Sequence, residues 1–112
     1  MNPHRDYERI LVRYPVRFSS AFSEEPAKEE EGAVVDLSIR GCTVTSPIPV
    51  PKDACLRLKI ELTDQDSLIT VDGAIVRSTN DKRFGLEFVK IRSEEEERLR
   101  GIIQSRLFGR PY

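Results

Sequence analysis

Alternation of apolar and polar residues occurs in several parts of the chain and is typical of β-strands with one buried face. The clearest case is LRLKIEL, residues 56 to 62, where charged residues separate the apolar ones without a fault. Residues 12 to 18 and 83 to 89 show the same period, and two further segments, 33 to 37 and 42 to 46, are strand-like. With the similar segment from 68 to 77, the pattern predicts six short strands.

Proline and glycine mark the irregular places in this pattern. Pro15 within the first predicted strand indicates a sheet edge or a bulge, and Gly73 in the fifth indicates a bulge or a close approach. Residues 47 to 54 form a connection interrupted by prolines, and STNDK, residues 78 to 82, is predicted to be a hairpin loop.

The period changes to that of a helix after the last strand. Ser93 followed by Glu96 forms a capping box, and acidic residues fill the first turn. Favourable charge pairs are expected four residues apart, between Glu94 and Arg98 and between Glu96 and Arg100. Apolar residues then recur at helical spacing, at Leu99, Ile102, Ile103 and Leu107. We expect one amphipathic helix here.

The predicted fold is mainly β: a small six-stranded antiparallel β-barrel with a C-terminal α-helix at about residues 93 to 108. Closure into a barrel removes the exposed edges that an open sheet of short strands would leave. A chain of 112 residues is long enough for one such domain. Within it we expect residues 1 to 10 to form a flexible arm, because they offer few apolar groups to bury, and residues 11 to 112 to form the barrel and helix.

Composition and charge exclude several classes of protein. Charged residues make up 33% of the chain and hydrophobic residues 38%, which suits a soluble globular domain. No apolar segment is long enough to span a membrane and the start lacks a secretory signal, so we expect a cytoplasmic protein without membrane insertion. A net charge of −1 argues against DNA or RNA as a partner. The acidic segment from 24 to 31 is predicted to be a solvated loop.

The chain offers little for catalysis. His4 is the only histidine, and neither of the two cysteines, Cys42 and Cys55, has a second ligand at metal-binding spacing. Both cysteines are predicted to be small buried apolar residues. A glycine-rich phosphate loop is also missing. We therefore predict a protein that is not an enzyme and has no catalytic residues, no metal and no cofactor.

Two short motifs remain. RDYER places Arg5 and Arg9 four residues apart just before the first strand, and DLSIRG places Asp36, Ser38 and Gly41 between the second and third. One capping side chain and one glycine are usually sufficient for a turn, so the second motif contains more than a turn requires.

In their order and position these motifs, RxxxR and DxSxxG, resemble the signature of the PilZ domain, the bacterial receptor for cyclic di-GMP. The resemblance extends along the chain, because RILVRYPVRF is similar to the first strand of that family and RFGLEFVKI to its last strand. SEEEERLRGII is similar to the helix that follows. The resemblance implies a cyclic di-GMP receptor that changes its N-terminal arm and surface on binding and signals to a partner protein.

The resemblance also implies roles for the motif residues. Arg5 and Arg9 would bind phosphate oxygens, or the O6 and N7 atoms of guanine, through paired guanidinium hydrogen bonds. Asp36 would accept from guanine N–H groups, and the Ser38 hydroxyl would donate or accept. Gly41 would let the backbone turn sharply and approach the ligand without a Cβ atom.

Two more residues are secondary candidates. His4 stands where many members of the family have another arginine, which favours a single ligand or a labile pair, and Arg40 lies inside the second motif. Two alternatives stay open: an adaptor that binds a protein partner without the ligand, and a barrel that binds single-stranded nucleic acid. An aromatic content of 7% and the negative net charge disfavour the second. The sequence does not identify the protein partner or the oligomeric state.

Overall fold

A computed structural model describes residues 8–24 and 28–108, which form six strands and one helix in the predicted order. The elements are β1 (Ile10–Ser20), β2 (Glu30–Leu37), β3 (Gly41–Thr45), β4 (Cys55–Leu62), β5 (Ser67–Asn80), β6 (Arg83–Lys90) and α1 (Ser93–Phe108). All strand pairs are antiparallel and the sheet closes into a barrel, which confirms the predicted fold. No helix in this described part of the chain is long and apolar enough to cross a membrane.

The barrel closes through strand pairs that are distant in sequence. Its order is β1-β2-β3-β6-β5-β4, so β1 pairs with both β2 and β4, and β3 pairs with β6. Strands β5 and β6 are joined by a tight turn at Asp81 and Lys82, inside the predicted hairpin loop. This order places the polar turn between β2 and β3 directly beside β5 and β6, although about forty residues separate them.

Alternation along the strands produces the core. In β4, Leu58, Ile60 and Leu62 are completely or almost completely buried, whereas the charged residues between them stay in contact with solvent. Phe18 of β1 meets Phe84 of β6 across the interior in an edge-to-face contact, with ring centroids 5.7 Å apart. The buried faces predicted for these strands are therefore confirmed.

The two irregular positions predicted in the strands lie close to breaks in register. The pairing of β1 with β2 shifts between Leu11 and Tyr14, and β1 begins to pair with β4 only at Val16. Pro15 thus has a strand neighbour on one side only, which its missing N–H tolerates. The pairing of β5 with β6 shifts directly after Gly73.

Helix α1 packs on the barrel and bonds to the start of β5. The Glu95 carboxylate accepts a hydrogen bond from the Thr70 N–H at 2.9 Å, and the Arg98 guanidinium donates to the Leu68 carbonyl at 2.9 Å and to the Ser67 hydroxyl. The buried face of the helix consists of Leu99, Ile102 and Ile103. Side chains of the helix thus satisfy backbone groups of β5 that would otherwise lack partners.

Two details at the start of α1 differ from the sequence prediction. The Arg92 carbonyl accepts the first helical hydrogen bond, from the Glu96 N–H at 2.9 Å, so Arg92 rather than Ser93 occupies the N-cap position. Arg98 pairs with Glu95 at 3.2 Å instead of the glutamate one residue earlier, because Glu95 is the one directed at β5. Capping and pairing rules identify the turn correctly but leave the register open by one residue.

Candidate functional site

The turn between β2 and β3 is held by the hydroxyl group of Ser38. Its oxygen accepts hydrogen bonds from the N–H groups of Arg40 and Gly41, at 3.2 and 3.1 Å, and its O–H donates to the Gly41 carbonyl at 3.2 Å. The Ser38 N–H donates to the same carbonyl at 2.8 Å. A hydroxyl has one donor and two acceptor positions, so the turn occupies all three.

Gly41 is required by a close contact between strands. A Cβ atom at this position would lie 2.0 Å from the Leu86 carbonyl oxygen of β6, far inside any tolerable contact. Gly41 pairs with Glu87 of β6, and its φ lies outside the left-handed region. The glycine was predicted to permit a sharp turn, whereas in the structure it lets β3 approach β6.

The two motifs meet through an ion pair. Arg9, just before β1, places its Nη1 2.5 Å from Oδ1 of Asp36, which lies near the end of β2. The Arg9 side chain is 49% exposed and the Asp36 side chain 16%. Asp36 is the cross-strand partner of Leu11, so the pairing of β1 with β2 brings these charges together. This contact therefore joins the RxxxR motif to the DxSxxG motif.

A cleft of about 410 Å³ opens beside this turn. This volume lies within the range of small-molecule sites, about 300 to 1,000 Å³. Part of its lining comes from the two motifs, namely Arg9, Ser38, Arg40 and Gly41. The rest comes from β5 and β6, namely Arg77, Ser78, Gly85, Leu86 and Glu87. Among the described residues, three guanidinium groups and one carboxylate line the cleft, which therefore favours an anionic ligand.

Arg77 enters the cleft from a bulge. The register of β5 against β6 shifts between Val76 and Ser78, so Arg77 is the extra residue on β5. Its Nε donates to Oε1 of Glu87 at 2.7 Å, and both side chains are about half exposed to solvent. Sequence reasoning missed both residues, because alternation does not show which strands are neighbours. The nearest signal was Arg77 itself, a charged residue directly after the apolar residues 74 to 76.

The structure brings several of the predicted site residues together at one cleft. Four of the predicted residues line the cleft, as given above, and Asp36 contacts it through its ion pair with Arg9. Arg5 and His4 lie outside the described residues. The binding role of each of these residues stays a prediction.

The cysteines differ from each other in burial. Cys42 is completely buried, as predicted, and desolvation raises the pKa of its thiol to about 12, with a smaller contribution from Asp36. Its thiol therefore stays protonated at neutral pH. Cys55 is only half-buried, contrary to the prediction. Among residues 8–24 and 28–108, no group of three or more His, Cys, Asp or Glu side chains could hold a metal ion.

The fold is a small six-stranded β-barrel with a C-terminal helix and two motifs beside one cleft, and comparison with known families identifies it. The PilZ domain family matches residues 3–105, so the chain belongs to that family. No curated protein sequence matches the chain significantly.

Solved structures show the same fold. The inhibitor of motility MotI from Bacillus subtilis superposes with a TM-score of 0.72 at 19% identity, covering 93% of this chain and 51% of that one. YcgR from Escherichia coli, in complex with c-di-GMP, gives 0.71 at 16% identity, covering 91% and 45%. The PilZ domain of CeSA from a cellulose-synthesizing bacterium gives 0.61 at 17% identity, covering 91% and 96%. The chain thus spans about half the length of MotI and YcgR, and the likeness concerns the fold alone.

Proposed function

We propose that this protein is a receptor for cyclic di-GMP in the cytoplasm that acts through a protein partner and has no enzymatic activity. The observation that carries the proposal is the cleft in which Arg9, Arg40 and Arg77 converge beside the DxSxxG turn. Membership of the PilZ family supports it, as do two solved structures of one protein, YcgR from Escherichia coli, with c-di-GMP.

The chemistry of the cleft suits this ligand. Cyclic di-GMP carries two phosphates and two guanines, and a guanidinium binds either group through two parallel hydrogen bonds. Lysine lacks this planar geometry, so the use of arginine at all three positions is informative. Arg5 would join them from the segment before β1, completing the RxxxR motif.

Binding would change the contacts of Arg9. Its Nη1 contacts Asp36, so a phosphate of the ligand would compete with that carboxylate for this group. When Arg9 moves to the ligand, Oδ1 of Asp36 becomes available to accept a guanine N–H. The residues of the two motifs would then bind the ligand from both sides.

Ser38 and Gly41 contribute to binding through the shape of the turn. The Ser38 hydroxyl is fully engaged in the turn, and Gly41 lets β3 lie against β6. Both residues line the cleft, so the turn that they hold forms part of its wall. The turn also sets the position of Arg40, whose carbonyl accepts from the Phe88 N–H at 2.8 Å.

One observation favours a second candidate, an adaptor that binds its partner without the ligand. Asp36 and Ser38 both have hydrogen-bond partners within the chain, so these two residues of the motif also have a structural role. Under this reading the arginines contact a protein instead of a nucleotide.

Calorimetry and thermal unfolding with cyclic di-GMP separate the two candidates. A ligand that binds only the folded protein adds about 2.7 kcal/mol of stability at about a hundred times its dissociation constant. We expect the melting temperature to rise with cyclic di-GMP and to stay unchanged with GMP, which presents one guanine and one phosphate. An unchanged melting temperature at saturating cyclic di-GMP would favour the ligand-independent adaptor.

A further inference from the structure

Glu87 is the one carboxylate among the described residues that line the cleft. The other charged lining groups are the guanidinium groups of Arg9, Arg40 and Arg77, which only donate hydrogen bonds. A carboxylate only accepts them, and it repels a phosphate. Glu87 therefore weakens the attraction of the cleft for the phosphates of a ligand, and its presence needs another explanation.

Guanine offers the donors that such a carboxylate can use. Its Watson–Crick edge presents N1–H and the exocyclic N2 amino group side by side, and two carboxylate oxygens can accept from both. Adenine presents an acceptor, N1, in place of the first donor and has no N2 amino group. A carboxylate at this edge therefore favours guanine and disfavours adenine.

Glu87 is held in place for such a contact. Its backbone pairs with Gly41 of β3 on one side and with Ile75 of β5 on the other. Its Oε1 accepts from the Arg77 Nε at 2.7 Å, and each carboxylate oxygen can accept more than one hydrogen bond. The side chain is 40% exposed, so a ligand in the cleft can reach it.

We propose that Glu87, oriented by Arg77, accepts hydrogen bonds from the Watson–Crick edge of one guanine of the ligand and selects guanine over adenine. The inference rests on the proposed function. Cyclic di-GMP has two guanines, so Asp36 can serve one and Glu87 the other. Arg77 acts here as a positioning residue, because the bulge in β5 aims its guanidinium at the carboxylate.

The test compares cyclic di-GMP with cyclic di-inosine monophosphate, which lacks the N2 amino groups and is otherwise the same. Calorimetry gives the ratio of the two dissociation constants for the wild type and for Glu87→Gln. A carboxylate contact of this kind discriminates by about 5- to 150-fold. We expect the wild type to prefer cyclic di-GMP and Glu87→Gln to lose about fivefold or more of that preference. Arg77→Ala should also bring the two dissociation constants closer together, since Glu87 loses its orienting partner.

Glu61→Gln is the matched control. Glu61 is 41% exposed and pairs with Arg17 at 3.7 Å, outside the cleft, so this variant should keep the wild-type ratio. A ratio that Glu87→Gln leaves unchanged, while the wild type still binds cyclic di-GMP, overturns the role of Glu87 and leaves the proposed function standing. If the wild type binds neither nucleotide, the proposed function fails and this inference fails with it.

Discussion

Under the proposed function, a nucleotide in the cleft would compete with Asp36 for the Arg9 guanidinium. If Arg9 contacts the ligand, truncation to alanine removes a charge-assisted hydrogen bond worth about 1.5 to 3 kcal/mol. The variant has no Asp36 ion pair to break on binding, which offsets part of this loss of affinity. We expect Arg9→Ala to weaken cyclic di-GMP binding by roughly tenfold to 150-fold. Calorimetry measures the affinity, and the melting temperature without ligand should hardly change because the side chain is exposed.

Arg13→Ala is the control for this prediction. Arg13 has the same charge and is exposed on β1, four residues beyond Arg9, and it does not line the cleft. Equal losses of affinity in the two variants would mean that the arginines act as a diffuse basic surface, not through specific contacts.

Gly41 gives a prediction about stability at the level of one atom. In Gly41→Ala the new Cβ meets the Leu86 carbonyl oxygen at 2.0 Å, and β3 must move away from β6. Overpacking of this kind costs about 1 to 3 kcal/mol, measured as the free energy of unfolding in urea.

Gly101→Ala makes the same chemical change where space is available. A Cβ at Gly101 would meet nothing within 4 Å, and alanine favours a helix over glycine by about 0.5 to 1 kcal/mol. We therefore expect Gly101→Ala to stabilise the protein. Two glycine variants that behave alike would contradict the close contact at Gly41.

At the scale of elements, the strands could be predicted because their signal is local. Burial of one face imposes alternation on each strand, and the predicted segment from 56 to 62 agrees with β4 to within one residue. The length of β5 could not be predicted as well, because its last residues, 78 to 80, are polar and exposed. They are strand only because they pair with β6 across a tight turn.

The candidate site could be predicted only in the parts that belong to a motif. Arg9, Asp36, Ser38 and Gly41 were identified because their spacing resembles a family signature. Arg77 and Glu87 belong to strands whose neighbours are set by barrel closure, which depends on contacts between distant segments. The sequence also could not show that the Ser38 hydroxyl makes all its hydrogen bonds within the turn, because hydrogen-bond partners depend on the local path of the backbone.

The contact between α1 and β5 gives a prediction for a whole element. Glu95→Ala leaves the Thr70 N–H without its acceptor and removes a partner of Arg98. We expect a loss of about 1 to 2 kcal/mol in the free energy of unfolding, because the Glu95 side chain is only 20% exposed.

Glu94→Ala is the control for the helix terminus. Glu94 also lies in the first turn of α1 but is exposed, so it shares the favourable interaction with the helix dipole. The two variants lose that interaction alike, and their difference isolates the contact with β5. If Glu94→Ala cost as much as Glu95→Ala, the helix dipole would explain both.

At the scale of the whole molecule, three parts of the chain meet around Tyr14. Its hydroxyl donates to the Asp64 carboxylate of the turn between β4 and β5, with oxygen distances of 3.1 and 3.0 Å. Arg106, in the last turn of α1, donates to the Leu11 carbonyl of β1 at 2.6 Å. One end of the barrel is therefore joined by contacts among β1, a hairpin and the helix.

The protonation state of Tyr14 links this arrangement to pH. Desolvation by burial raises the pKa of Tyr14 above its ordinary value of 10.0, the hydrogen bond and charge of Asp64 raise it further, and Arg106 opposes them. The folded protein thus holds this proton more tightly than the unfolded chain. The contribution of Tyr14 to stability is therefore fully present below about pH 10 and is lost as the pH rises further.

At neutral pH, Tyr14→Phe should cost about 1 kcal/mol for the lost hydrogen bond. Above about pH 10 the wild type should lose stability faster than Tyr14→Phe, which has no phenol to ionise, so their difference in urea unfolding should shrink. A difference that stays constant from about pH 7 to about pH 11 would show that Tyr14 ionises equally well in the folded and unfolded protein.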